Sequence, residues 1–292
     1  MLNQNIYINL LTQFDKIFRH NRQGSFKTRQ RYAEAFKRFL VYLAEEFRLD
    51  RIANIAPKHI YSYVNYLTEK GMSPAYLKTE LSGIRFFHDQ IPNARHKLPD
   101  NAMLNLQRRK FVRIDRTWSS REFNLFAEKA MALVREDYVA ILCLARYAAL
   151  RLHECFRIDT QAAAKTIKTG VLTIKGKGGL VRDVPINLSI EIELKKMLAV
   201  TPRGHKLFVA PDDKTHLAMH RFENFIHYHK TALQDLGSTR LLTFHGLRHT
   251  CAAEWYRQYI AEGHTEKEAR HRVSELLGHR RDEVTKIYLA SV

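Results

Sequence analysis

A mainly α-helical protein with one small β-hairpin, an α+β chain dominated by helix, is the fold this sequence predicts. Three patterns predict it. Apolar residues recur at three- and four-residue spacing through most of the chain, the period of a helix with one buried face. A glycine-rich KGKGG at 175–179 stands between two short β-prone runs, which is a hairpin signal. A basic stretch without a helical stripe, NLQRRKFVRIDRTWSS at 105–120, separates a helical N-terminal part from a mixed C-terminal part.

The elements follow in order. SFKTRQRYAEAFKRFLVYLAEEF puts Tyr32, Phe36, Phe39, Leu40 and Leu43 on one stripe, with Ser25 as its start signal. APKHIYSYVNYLTEKG repeats the pattern, with Pro57 in the first turn and Gly71 as a stop. SPAYLKTELSGIRFFHDQ has Ser73 as cap and Pro74 at the first helical position. Residues 1–110 thus read as a helical bundle, 111–118 as an extended basic linker, and 119–292 as a second domain. In that domain Ser119 or Ser120 opens a helix over 120–133, and a second helix covers 136–149. The strands VLTI and VRDVPI flank the hairpin tip, and helical stripes resume at 188–199, 219–236, 245–261, 265–277 and 281–290.

With 292 residues, 45% of them hydrophobic and only 12 Gly and 7 Pro, the chain is globular and long enough for two domains. Its 48 basic and 30 acidic residues leave a formal charge of +18, which calls for a polyanionic partner, most simply DNA or RNA. An anionic membrane surface is the weaker reading. The most apolar run, 138–152, is interrupted by Arg146 and falls short of the roughly 20 residues a bilayer requires. The N-terminal stretch has neither the basic start nor the cleavage site of a signal peptide, so a cytoplasmic protein is expected. Cys143, Cys155 and Cys251 are far apart, odd in number and without a CxxC spacing. They read as buried reduced thiols rather than a disulfide framework or a zinc site.

Four stretches carry chemistry: AALRLHE with Arg151, the hairpin tip with Lys177, TFHGLRHT with His245, Arg248 and His249, and LGHRRDEVTKIYLASV with His279 and Tyr288. Singly, each has an ordinary reading. Arg151 could pair with Glu154, Lys177 could be an exposed turn residue, His245 a cap, and His279 a partner of a helix dipole. Together they suit phosphoryl transfer at a DNA phosphodiester. Arginine forks neutralise nonbridging oxygens, a lysine can protonate a leaving oxygen, and tyrosine can form a covalent phosphoester. His245 and Arg248, three apart, share a helical face. A metal site is the rival: His245 and His249 are four apart, and HYHK at 227–230 adds two more histidines. The HGLRH box contains no carboxylate to act as base, and Arg248 would repel a cation, so no metal and no cofactor is expected.

The set Arg151, Lys177, HGLR at 245–248, LGH at 277–279 and Tyr288 resembles the active-site signature of the tyrosine recombinases, the phage and mobile-element integrases and Xer-type resolvases. ALRLHE is similar to the family's GLR-x-x-E segment, and IKGKGGLVRDVPI to its hairpin of Gly-Lys-Gly followed by an arginine and Val-Pro. The nine residues from His279 to Tyr288 match the family's interval. The resemblance implies a helical SAM-like core-binding domain followed by a catalytic domain. It implies that Tyr288 attacks the scissile phosphate to leave a 3′-phosphotyrosyl bond. Arg151 and Arg248 would then bind the nonbridging oxygens, and Lys177 would protonate the 5′-oxygen. His245 would assist proton transfer, His279 would hydrogen-bond the phosphate, and Glu154 would orient the group from behind. Neither ATP nor metal is needed, because bond energy is conserved. The implied partners are double-stranded recombination sites, bound by a homo-tetramer on two duplexes that passes through a Holliday junction. The free protein would be a monomer, with DNA-bending proteins as accessory candidates. Expected DNA contacts are Lys27, Arg29 and Arg31 on the first striped helix, and Arg108, Arg109, Lys110 and Arg113 on the linker. A type IB topoisomerase and a non-catalytic DNA-binding protein of the same fold are the alternatives.

Two features depart from the family pattern. Ala149 stands where the motif has glycine, which is harmless only if the backbone there needs no positive φ. Four residues follow Tyr288, where many relatives carry a helix that docks on the next subunit. The long 251–277 segment, read as two helices broken at Gly263, or the N-terminal helices would then make that contact.

Overall fold

The computed structural model describes residues 3–107, 114–176, 179–278 and 282–292. The chain divides into two compact units, residues 1–110 and 111–292.

The first unit contains α1 (Gln4–His20), α2 (Phe26–Glu46), a 3-10 turn (Ile52–Asn54), α3 (Pro57–Glu69) and α4 (Pro74–His88). Local chemistry sets the starts. Ser25 and Ser73 accept hydrogen bonds from Thr28 N and Tyr76 N, and prolines open α3 and α4. The apolar stripes then meet. Phe14 stacks on Phe36 at 4.8 Å and meets Phe87 edge-on at 4.9 Å. Gly83 lets α4 approach α2 closely, since a Cβ there would lie 3.0 Å from Ala35 Cβ and 3.1 Å from Tyr32 Cα. The same two helices are tied by Arg38, whose Nε and Nη2 donate to the buried Glu80 carboxylate at 3.0 and 2.6 Å.

The second unit contains α5 (Ser120–Ala132), α6 (Glu136–Ala148), α7 (Leu152–Cys155), α8 (Thr160–Thr169), β1 (Val171–Lys175) and β2 (Val181–Pro185). It continues through α9 (Leu188–Val200), α10 (Thr215–Leu233), α11 (Phe244–Ala261), α12 (Glu266–Leu277) and α13 (Asp282–Tyr288). Ser119 and Glu122 form a reciprocal capping box at the start of α5. Helix α6 is buried on nearly every side and packs against α5, α9 and α11, which makes it the centre of the core. The one charge deep in it, Arg146, is compensated by a two-pronged pair with Glu254 of α11. The strands are antiparallel, with Ile174 opposite Arg182, and β2 turns Arg182 and Val184 inward. All three cysteines are free and buried.

The sequence reading did not single out α8. Its three consecutive alanines blur the stripe, and the visible signals are its ends: Asp159 accepts from Ala162 N at 2.7 Å, and Gly170 stops it at φ +70°. Helix α10 begins and ends earlier than its expected 219–236. Past its end the Gln234 side chain donates to the carbonyls of Ser238 and Arg240 instead. Gly263, at φ +90°, ends the run of α11 before α12 begins. No helix among the described residues is long and apolar enough to cross a membrane.

Candidate active site

The site gathers around the first turns of α11. Thr243 precedes the helix in extended conformation, and His245, Arg248 and His249 fall along one side of it. Helix α13 packs on α11 and α12 and brings Tyr288 onto that side, where the residue is 7% exposed. Its ring lies 4.5 Å from the His249 ring and 5.4 Å from that of His245. Its hydroxyl accepts from Arg248 Nε at 3.4 Å.

Arg248 is fully buried. Its two terminal nitrogens donate to the carbonyls of Ala149 and Leu277, the closing ends of α6 and α12. No carboxylate pairs with it among the described residues. Burial therefore pushes its pKa down to about 10, and the charges of Arg151 and Arg182 add to that, against the opposing influence of Tyr288. A buried cation of this kind lacks an anion, and a phosphate would supply one.

Arg151 stands just before α7 with a quarter of its side chain open to solvent. Its backbone N and Nη1 donate to Glu154 at 2.8 and 2.9 Å. The Glu154 carboxylate is enclosed and also receives both terminal nitrogens of Arg182, at 3.0 and 2.7 Å. Burial alone would raise its pKa, but the bonds and charges of Arg182 and Arg151 outweigh burial and hold it down at about 2. A cleft of about 560 Å³ opens beside these groups, lined by Arg151 and His245 and by Asn224, His227 and Lys230 of α10.

The positive-φ question at Ala149 resolves against the simple expectation. Ala149 sits at φ +49°, so the backbone does demand a left-handed residue there. The alanine is tolerated because its methyl group is fully buried beside Cys251, Leu277 and Tyr288. Burying one methyl stabilises by about 0.8 kcal/mol, which offsets much of the roughly 1–2 kcal/mol that a left-handed L-residue costs.

The glycine of the HGLR box has a steric reason. A Cβ on Gly246 would lie 2.3 Å from the Arg116 carbonyl oxygen and 2.8 Å from Trp118 Nε1. Residues 116–118 cross the start of α11 there, held by Trp118 Nε1 to Thr243 O at 2.9 Å and Trp118 N to Thr250 Oγ1 at 2.8 Å. Gly246→Ala is therefore expected to cost about 3 kcal/mol or more, beyond ordinary overpacking, since backbone rather than a flexible tip must move. A urea midpoint equal to that of the unsubstituted protein would refute the close approach.

Both histidines are neutral near pH 7. His245 keeps an open edge to solvent, yet burial of the rest of the ring, then Arg248, Arg116 and Arg151, push its pKa down to about 4. His249 is 2% exposed, and burial, with His245 and Arg116 adding, pushes it down to about 3. An unfolded chain would protonate that ring near pH ~6.5. From there down to about 3 the unfolded state holds a proton that the folded state refuses, so stability falls as pH falls. His249→Phe should narrow the gap between urea midpoints measured at about pH 7 and about pH 5. An unchanged gap would assign the acid sensitivity to other groups.

Residues 123–292 match the model described as Phage integrase family, and residues 11–91 match Phage integrase, N-terminal SAM-like domain. The chain belongs to the phage integrase family. It is a tyrosine site-specific recombinase with a SAM-like domain ahead of the integrase catalytic domain. Solved structures share its fold at low identity. A lambda integrase (75–356) dimer bound to a COC′ core site is 18% identical at TM-score 0.66, covering 96% of this chain and 95% of that one. XerH recombinase bound to difH is 20% identical at TM-score 0.62, covering 95% and 81%. The Tn1549 transposon integrase with circular intermediate DNA is 14% identical at TM-score 0.59, covering 95% and 93%. No curated protein matches the chain.

Within the recombinase, the structure brings together Arg151, Glu154, His245, Arg248 and Tyr288. Lys177 and His279 lie outside the described residues, as do Arg108, Arg109, Lys110 and Arg113. Lys27 and Arg31 are exposed on α2, whereas Arg29 is half-buried and donates to the Asn21 carbonyl at 2.7 Å, closing the α1–α2 turn. Sequence reasoning missed three residues. His249 was weighed only as a metal ligand, although its i+4 spacing from His245 already placed it on the site's face. Arg116 belongs to the stretch expected to be an extended basic linker, and nothing local reveals that its charge reaches both histidines. Arg182 had a signal: it is the arginine of the hairpin stretch IKGKGGLVRDVPI and shares the inward face of β2 with Val184.

Proposed function

We propose that this recombinase cuts and rejoins DNA strands through a 3′-phosphotyrosyl intermediate formed on Tyr288. The observation that carries the reading is the Tyr288 hydroxyl 3.4 Å from Arg248 Nε, with two neutral imidazoles against its ring. The scissile phosphate enters by the cleft beside Arg151. Tyr288 moves off Arg248 as the phosphate takes its place, because the arginine is otherwise sealed. The phenol oxygen attacks phosphorus, and its proton passes to His245, which is free to accept it near pH 7. Arg151 and Arg248 neutralise the nonbridging oxygens as charge builds. The P–O5′ bond breaks, Lys177 gives the 5′-oxygen its proton, and His279 hydrogen-bonds the phosphate. The ester count is unchanged, so neither ATP nor metal is consumed. Attack by the 5′-hydroxyl of a partner strand reverses the chemistry. Two such exchanges, made by a homo-tetramer on two duplexes, pass through a Holliday junction. The enzyme works in the cytoplasm of the cell that holds its DNA sites, and Lys27, Arg31 and the basic 108–113 segment contact the backbone.

Nicked suicide substrates drawn from the native genetic neighbourhood test this directly. A protein–DNA adduct stable to denaturant should form in EDTA, with the 3′-phosphate attached to the protein. Relaxation of a supercoiled circle without exchange between two sites would point to topoisomerase activity instead. Binding should weaken steeply with salt, as each phosphate contact releases counterions, by about tenfold or more per fourfold rise in salt for several contacts.

A further inference from the structure

We propose that Arg182 is a positioning residue of the cleavage site, setting the fork of Arg151 through Glu154 and packing against Gly176 and Gly278. This rests on the phosphotyrosyl reading above. Arg182 lies on β2, turned inward, with 5% of its side chain exposed. Its two terminal nitrogens take both oxygens of Glu154 in a parallel fork, and the same two oxygens take Arg151 N and Nη1. One enclosed carboxylate is thus shared by two guanidinium groups, leaving the trio with a net positive charge. That sharing matters for the reaction. If Glu154 served Arg151 alone, its whole charge would draw the fork inward and already neutralise the cation that the phosphate needs. With Arg182 taking one full edge of the carboxylate, Arg151 is oriented yet keeps unspent donors, and it lines the cleft with a quarter of its side chain exposed.

Packing ties Arg182 to two other segments. A Cβ on Gly278 would fall 2.9 Å from Arg182 Cδ, and one on Gly176 would fall 3.4 Å from its Nη1 and 3.5 Å from Glu154 Oε1. Gly176 directly precedes Lys177, and Gly278 directly precedes His279. The Arg182 side chain therefore packs against Gly176, Gly278 and Glu154 together, the described neighbours of three of the four chemical stretches.

The test compares Arg182→Met, Arg182→Lys and Glu154→Gln with the unsubstituted enzyme in single-turnover adduct formation on a nicked substrate at saturating protein. Arg182→Met should slow adduct formation roughly 30-fold or more while DNA affinity stays within about threefold, a loss confined to the transition state. Arg182→Lys, which keeps the charge but loses the fork, should fall between and carries the same comparison if the methionine variant does not fold. A substrate with a neutral methylphosphonate at the scissile position has no charge for Arg151 to neutralise, so the deficit should shrink to about threefold or less there. The Arg182→Met, Glu154→Gln double variant should be no slower than the slower single, because both act through one link. Equal deficits on phosphodiester and methylphosphonate would mean a merely structural role and overturn the proposal, as would an adduct rate unaffected by the substitutions. Absence of any adduct from the unsubstituted enzyme would overturn the phosphotyrosyl reading and this proposal together.

Discussion

Tyr288→Phe should bind recombination-site DNA as the unsubstituted enzyme does and form no covalent adduct. The substitution removes one oxygen and leaves the ring in place against His245 and His249, 5.4 and 4.5 Å away. The lost hydrogen bond to Arg248 is long, at 3.4 Å, so stability should drop by no more than about 1 kcal/mol. Phenylalanine offers no nucleophile. Denaturing gels of suicide-substrate reactions, run beside anisotropy titrations, separate the two properties. An adduct that persists would move the nucleophile to another side chain.

Arg248→Ala should lose both rate and stability, whereas Arg151→Ala should lose chiefly rate. Each arginine neutralises a developing oxyanion, worth about 3–4 kcal/mol of barrier by comparison with single oxyanion-hole donors. Their structural settings differ. Arg248 is fully buried and donates to the Ala149 and Leu277 carbonyls, joining the ends of α6 and α12. Removing it leaves two buried acceptors and a cavity, a loss of about 2–5 kcal/mol even after the relief of a desolvated charge. Arg151 is partly exposed, and Glu154 retains its fork with Arg182 when Arg151 is gone. Its removal should therefore shift stability by about 1 kcal/mol or less. Urea denaturation and single-turnover adduct rates on both variants measure the contrast. An Arg248→Ala protein with an intact rate would remove that residue from the chemistry.

Much of this was legible in the residues themselves. The stripes, the serine caps, the prolines at first turns and the KGKGG hairpin are local signals, and local physics realises them at α2, α4, α5 and the β1–β2 pair. Helix α8 escaped because alanine carries little pattern. The grouping of His245, Arg248 and His249 is also carried by the sequence, because spacing along α11 fixes which side chains share its face.

By itself, then, the sequence determined the helical periods, the breaks between them and the chemical types available for a phosphate. The tertiary structure decided which of those groups are sealed and which are open. Arg248 became a buried cation and Arg151 a partly exposed one. Arg116 came to bear on two histidines more than a hundred residues away, and Gly246 came to lie beneath its carbonyl. Arg182 was joined to Arg151 through Glu154. The reason is that desolvation and charge coupling act over a few ångströms of space, whatever the distance along the chain, and only packing of separate helices creates those neighbours.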